Sequence, residues 1–388
     1  MLRAGYSIME VNKMSSRKAH LRPFRLLSAA SVVALLMLLP QTGLAGGRTG
    51  DVYVLTNQLP TGNAVMVFHR DAAGMLTSAG GFATGGNGTG TGLGSQGAAL
   101  LSGDSRLLFA VNAGSNSISV FAVSGDRLTL LDTVSSGGSQ PISLTVRHNL
   151  LYVLNAGTPN ISGFTIELAR HVLVPLPGST QALPRGAAAA PAQVAFGPDG
   201  DVLVVTEKGT NLIDTFTVDD EGLAQPGVSF PSNGTTPFGF AFGHDNVAIV
   251  SDAGSGAGSA AVSSYELDED GNLEVITPAL GDTQTAACWV VVPRNGRFAY
   301  TSNTGSGTIS SYTVSHGGNL ALLNAVAASM GSGSAPTDMA FSDNSRFLYV
   351  LNSGNGTISG FRVQASGSLT PVTRAAGLPA GAAGIAAR

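Results

Sequence analysis

One motif runs through this chain seven times, and that repetition constrains the fold more than any other property of the sequence. It reads RFLYVLNSGNGTISGFRV at 346–363 and RFAYTSNTGSGTISSYTV at 297–314. Two further copies are LLFAVNAGSNSISVFAV (107–123) and LLYVLNAGTPNISGFTI (150–166). Weaker ones are VYVLTNQLPTGNAVMVF (52–68), VLVVTEKGTNLIDTFTV (202–218) and VAIVSDAGSGAGSAAVSSYEL (247–267). Taking the small polar residue that ends the first run as anchor gives Thr56, Asn112, Asn155, Thr206, Ser251, Asn303 and Asn352, spaced 43 to 56 residues apart. Self-similarity at this period marks a propeller or a solenoid, where each unit buries its face against the next.

Within a repeat the apolar residues alternate with period two, as at Phe347, Tyr349 and Leu351, and the runs end at Gly, Asn or Ser. That is the pattern of strands. A third element follows the pair, for example GNLEVITPAL (271–280) and GSLTPVTRAA (367–376), and a fourth precedes it, for example PFGFAFG (237–243) and PTDMAFS (336–342). Four short strands in each of seven units predict an all-β, seven-bladed β-propeller. The segment AGAAGIAAR (380–388) reads as an inner strand, and nothing equivalent precedes Asp51. It is expected to complete the first blade and close the ring, leaving no exposed sheet edge between first and last blades.

The first 45 residues stand apart. Arg17, Lys18, Arg22 and Arg25 precede the apolar run LLSAASVVALLMLL (26–39), and GLA (43–45) supplies small residues for cleavage. This is the layout of a secretory signal peptide, with an apolar run too short for an ordinary membrane span. The expected organisation is a signal peptide at 1–45 and a propeller at 46–388, exported to the periplasm or secreted, with no membrane span after cleavage. Without the leader, 14 Lys and Arg face 23 Asp and Glu, a balance that argues against nucleic acid as a partner.

Cys288, the one cysteine, adjoins Trp289, the one tryptophan, on an expected inner strand, and both are read as core. An internal disulfide is excluded. His69, His148, His171, His244 and His316 fall in different repeats, so no metal site and no cofactor is expected. GGNGTGTGLGSQG (85–97) contains G-x-G-x-x-G, but an inner strand follows it where a dinucleotide site needs a helix, so it is read as a connecting loop. DEDGNLE (268–274) resembles a calcium loop, yet its register matches turns without carboxylates, and a hairpin is expected. No G-x-S-x-G occurs.

Where other repeats read NAG, NTG or NSG, one reads TEKG (206–209), bringing in Glu207 and the only lysine beyond residue 45, Lys208. Asp252 stands at the corresponding place one repeat later. Carboxylates at such strand ends are expected at a mouth of the central channel, the usual place for a propeller's binding site.

The repeat APTDMAFSDNSRFLYVLNSGNGTISGFRVQASGSLTPV (335–372) resembles the seven-bladed propeller lactonase family, which includes propeller-type 6-phosphogluconolactonases and carboxymuconate lactonising enzymes, with YVTN-type repeats. The resemblance spans residues 51–388. It implies a channel lined by an Arg-His pair on one inner strand and an Asn-Glu further along. On the matching segment, PAQVAFGPDGDVLVVTEKG (191–209), Glu207 is kept, while Ala192 and Gln193 occupy the Arg and His positions. A further family histidine is missing from QGAALL (96–101). Lactone opening needs a base and stabilisation of an oxyanion. The resemblance implies a small lactone or sugar-acid ligand at the channel mouth with Glu207 as the acid/base candidate, but with the Arg and His positions changed it does not by itself carry the activity over. The residues' own placement adds Lys208, Gln193, Gln140, Asp252 and Asp338 as candidates around the ligand. The alternative is a non-catalytic extracytoplasmic propeller that binds an extracellular partner.

Overall fold

The computed structural model describes residues 49–167 and 169–388. The expected leader at 1–45 lies outside the described residues. Those described form seven antiparallel sheets, six of four strands and one of five, arranged as the blades of a propeller. The inner strands are Ala99–Leu101, Pro141–Arg147, Pro191–Phe196, Pro237–Phe242, Ala287–Val291 and Pro336–Phe341 in blades 2 to 7. Blade 1 takes its inner strand from the far end of the chain: Ile385–Ala387 pairs antiparallel with Gly50–Leu55. The expected closure is thus present.

The second strand of each blade is a strand, as the alternating pattern predicts, and it is buried on both faces. In Phe347–Asn352 and Leu107–Asn112 every residue is buried, so both faces of the strand are covered. Blades pack face to face, and a strand sandwiched between neighbours has no wet side; only the outer strands, such as Leu320–Ser329, show one. Among the described residues the one helical turn is Gly186–Ala188.

The register corrects two anchors. Asn112 pairs with Ser117, Asn303 with Thr308 and Asn352 with Thr357, and the residues paired in the same place in blades 4 and 5 are Glu207 with Leu212 and Asp252 with Ala261. The anchors there are Glu207 and Asp252, not Thr206 and Ser251. A shift of one residue along a strand turns a side chain to the opposite face.

The DEDGNLE segment is the hairpin turn that was expected, with Asp268 Oδ1 accepting the Asn272 N–H at 2.7 Å.

Candidate functional site at the channel mouth

The anchor position has a structural task. Asn112 Nδ2 donates to the hydroxyls of Ser117 (3.2 Å) and Ser119 (2.7 Å). Asn303 and Asn352 do the same to Thr308 and Ser310, and to Thr357 and Ser359. Each amide ties the end of the second strand to the third, and so fixes the hairpin at one end of the blade.

Blade 4 uses a different chemistry for the same clamp. Glu207, fully buried, accepts the Thr210 hydroxyl through Oε2. Asp214, two residues into the third strand where other blades place serine, is also fully buried and takes the Ser229 hydroxyl at 2.6 Å. Burial first, and then its hydrogen bond to Glu207, push Asp214 up to about 8. In blade 5, Asp252 accepts from Ser263 (2.6 Å) and Ser232 (3.3 Å), and burial raises it to about 7. Neither Glu207 nor Asp252 is among the residues that wall a cavity at the mouth.

The mouth itself is shaped by the glycine-rich loop. It connects Leu76–Ala83 to the short inner strand Ala99–Leu101, as expected of a connector, and it also crosses the end of the channel. The Lys208 ammonium donates to the Gly94 carbonyl at 2.6 Å, and the Trp289 indole N–H to that of Ser95 at 2.9 Å. The Gln96 amide reaches from blade 2 to blade 6, donating to the Val290 carbonyl at 3.0 Å. Gly97 N–H meets Asp338 Oδ2 at 3.3 Å, and the Ser95 hydroxyl meets the Ile142 carbonyl at 2.8 Å. This plug is made of main chain because glycine allows it: Gly94 and Gly97 have φ of 58° and 82°, where a side chain is strained. Opposite, a Cβ on Gly239 would lie 2.2 Å from Gln96 Oε1, so the glutamine passes only because that residue is glycine.

Beside the plug lies a cleft of about 270 Å³. Its walls include Leu93, Trp289, Thr337, Asp338, Ser353 and Ala383. Asp338 sits at the back, 2% exposed, and accepts three main-chain N–H groups, from Met339 (2.8 Å), Gly97 and Ile385 (both 3.3 Å). Burial raises it to about 7 against the pull of those donors. Trp289 is 5% exposed, its ring tilted on Phe238 at 5.0 Å. It is core, as expected, and also a wall of the cleft.

The remaining expected residues are dispersed. Lys208 lies over the Phe238 ring at 4.6 Å, and burial lowers it to about 8. Gln193 spends both ends of its amide on the Phe240 main chain, at 2.7 and 2.9 Å, and holds blade 4 to blade 5. Gln140 is exposed in the loop ahead of Pro141–Arg147, with φ of 56°. Of the expected set, Lys208 and Asp338 both touch the plug, and Asp338 alone walls the cleft. Sequence reasoning missed Asp214 and the plug. Asp214 had a signal, since LID (212–214) stands against SIS (117–119) and TIS (308–310; 357–359).

Comparison with known proteins fits this architecture. The family model described as Lactonase, 7-bladed beta-propeller matches residues 53–182 and 182–383. Among solved structures, a protein from Lactobacillus plantarum superposes with a TM-score of 0.72 at 18% identity, covering 88% of this chain and 100% of that one. A periplasmic gluconolactonase from Pseudomonas aeruginosa gives 0.67 at 18% identity, covering 86% and 98%. At such identity the likeness is one of fold. Among curated proteins none matches.

Proposed function

We propose that this chain, which belongs to the seven-bladed β-propeller lactonase family, is an exported protein that binds a small lactone or sugar acid in the cleft beside the plug and opens the lactone there. The observation that carries the reading is the placement of one buried carboxyl, Asp338, at the back of a small cleft walled by Trp289 and Leu93 at the channel mouth. Export rests on the leader-like first 45 residues, and among the described residues no helix is long and apolar enough to cross a membrane.

In this reading the acid/base role expected of Glu207 passes to Asp338, because Asp338 is the one that reaches the cleft. Ring opening adds water across the acyl C–O bond. Asp338 takes a proton as the water oxygen adds to the carbonyl, and the departing ring oxygen takes a proton back, leaving a hydroxy acid. A carboxyl with a pKa of about 7 suits both halves of that exchange at neutral pH. Glu207 and Asp214 hold the blade 4 hairpin.

A second reading, a binding or cell-surface module without turnover, is favoured by the fate of the family's Arg and His positions. Ala192 is fully buried, and Gln193 is committed to Phe240, so neither offers a charged donor to an oxyanion. Proton release on a panel of sugar and muconate lactones, with wild type, Asp338→Asn and Glu207→Gln, separates the readings. Turnover lost in Asp338→Asn and kept in Glu207→Gln is expected. Loss in Glu207→Gln alone returns the role to Glu207, and no turnover by any form leaves the binding module.

A further inference from the structure

The cleft has a chemistry of its own, distinct from what the resemblance implies. Of its wall residues Leu93, Trp289, Ala382 and Ala383 are apolar, and the glycines of the plug add only main chain. None of its wall residues is a cation. The only lysine beyond residue 45, Lys208, directs its ammonium to the Gly94 carbonyl and the Phe238 ring and is not among the wall residues. The hydroxyls of Ser95, Thr337 and Ser353 are donated to the carbonyls of Ile142, Leu351 and Ala335. The one ionisable group on the wall is a carboxyl, Asp338.

We infer that this cleft takes a single uncharged ring, such as a neutral lactone, and excludes phosphorylated and carboxylated ligands. The inference rests on the mouth-cleft reading above and narrows its ligand to the neutral lactone, setting the sugar acid aside. A phosphate or carboxylate brought into a mostly apolar cleft loses its water and finds a carboxyl where it needs a guanidinium. A neutral ring loses little water and gains apolar contact with wall residues such as Leu93 and Trp289. Size points the same way: about 270 Å³ falls below the range of roughly 300–1,000 Å³ common for drug-sized ligands, leaving room for one ring.

Trp289 is the sole tryptophan, so its emission reports on this cleft directly. The test titrates the protein at low salt with D-glucurono-γ-lactone and δ-valerolactone, both neutral, and with D-glucuronate and 6-phosphogluconate. The neutral lactones are expected to shift the emission saturably, and the two anions to bind at least roughly tenfold more weakly. Ser353→Lys, which sets an ammonium at the rim without disturbing the core, is expected to raise 6-phosphogluconate affinity by roughly tenfold. Anions that bind as tightly as the lactones overturn the inference and leave the mouth-cleft reading standing. An emission that responds to none of the four overturns the mouth-cleft reading, and the inference with it.

Discussion

The two ends of the channel solve the problem of buried charge in opposite ways. At the plugged end Asp214, Asp252 and Asp338 are buried against hydroxyls and main-chain N–H groups, and burial raises all three. At the other end Asp51, equally buried, accepts two bonds from the Arg388 guanidinium, at 2.6 and 3.0 Å, with His69 Nδ1 at 3.4 Å. There Arg70 also donates to the main-chain oxygen of Arg388 at 2.8 Å, and Arg388 to that of Gly125 at 2.7 Å. That end holds the larger cavity, about 620 Å³, lined with Arg70, Arg294, Arg388, Asp51, Asp126 and Asp343. The Arg388–Asp51 pair and the Arg388–Gly125 contact join the closing strand to blades 1 and 2, so this part of the charge serves ring closure, whereas the plugged end leaves a carboxyl facing a cleft.

The contrast can be broken first by pH. A carboxyl raised from 3.8 to about 7 or 8 holds a proton in the folded state that the unfolded chain has released, so stability falls as pH rises between those values. Lys208, lowered from 10.5 to about 8, acts in the opposite sense, and its contribution returns between pH 8 and 10.5. Chemical denaturation at pH 5 and pH 8.5 is expected to show a loss on the order of a few kcal/mol at the higher pH. A curve that is flat or rises over this window contradicts the assignment of neutral buried carboxyls to the plugged end.

Next in size is the opposite end. Asp51→Asn leaves Arg388 without its charged partner, and a loss of about 2–3 kcal/mol at pH 7 is expected, below the full cost of breaking a buried pair because Arg388 is partly exposed. The emission response of Trp289 to lactone should be unchanged. A lactone affinity that falls with Asp51→Asn would mean the two ends are coupled.

The smallest effect belongs to blade 4. Glu207→Gln removes the carboxyl that helps hold the Asp214 proton, so the fall in stability near pH 8 should move to lower pH, with a change at pH 7 within about 1 kcal/mol. A loss of several kcal/mol would show that the pair does more than replace the Asn–Ser clamp.

The fold was legible because a propeller writes itself into the sequence at every turn. Each of the seven second strands carries its apolar run and polar end, and residues 380–388 declared the closing strand. The site was less legible for two physical reasons. Aligning TEKG one residue early placed Thr206 where Glu207 belongs, and in a strand that single step reverses which side a carboxylate faces. The plug is held largely through carbonyls of Gly94 and Ser95, and main-chain acceptors look alike whatever residue carries them. Trp289 was rightly placed in the core, but only the three-dimensional ring brings it beside Leu93 and Asp338, residues 196 and 49 positions away.

The proposed function requires that ligand enter at the plugged end. A crystal of the protein soaked in D-glucurono-γ-lactone tests it most directly. Density for one ring between Trp289, Leu93 and Asp338 is the predicted result. Density among Arg70, Arg294 and Asp343 at the other end, with the plugged cleft empty, would contradict it.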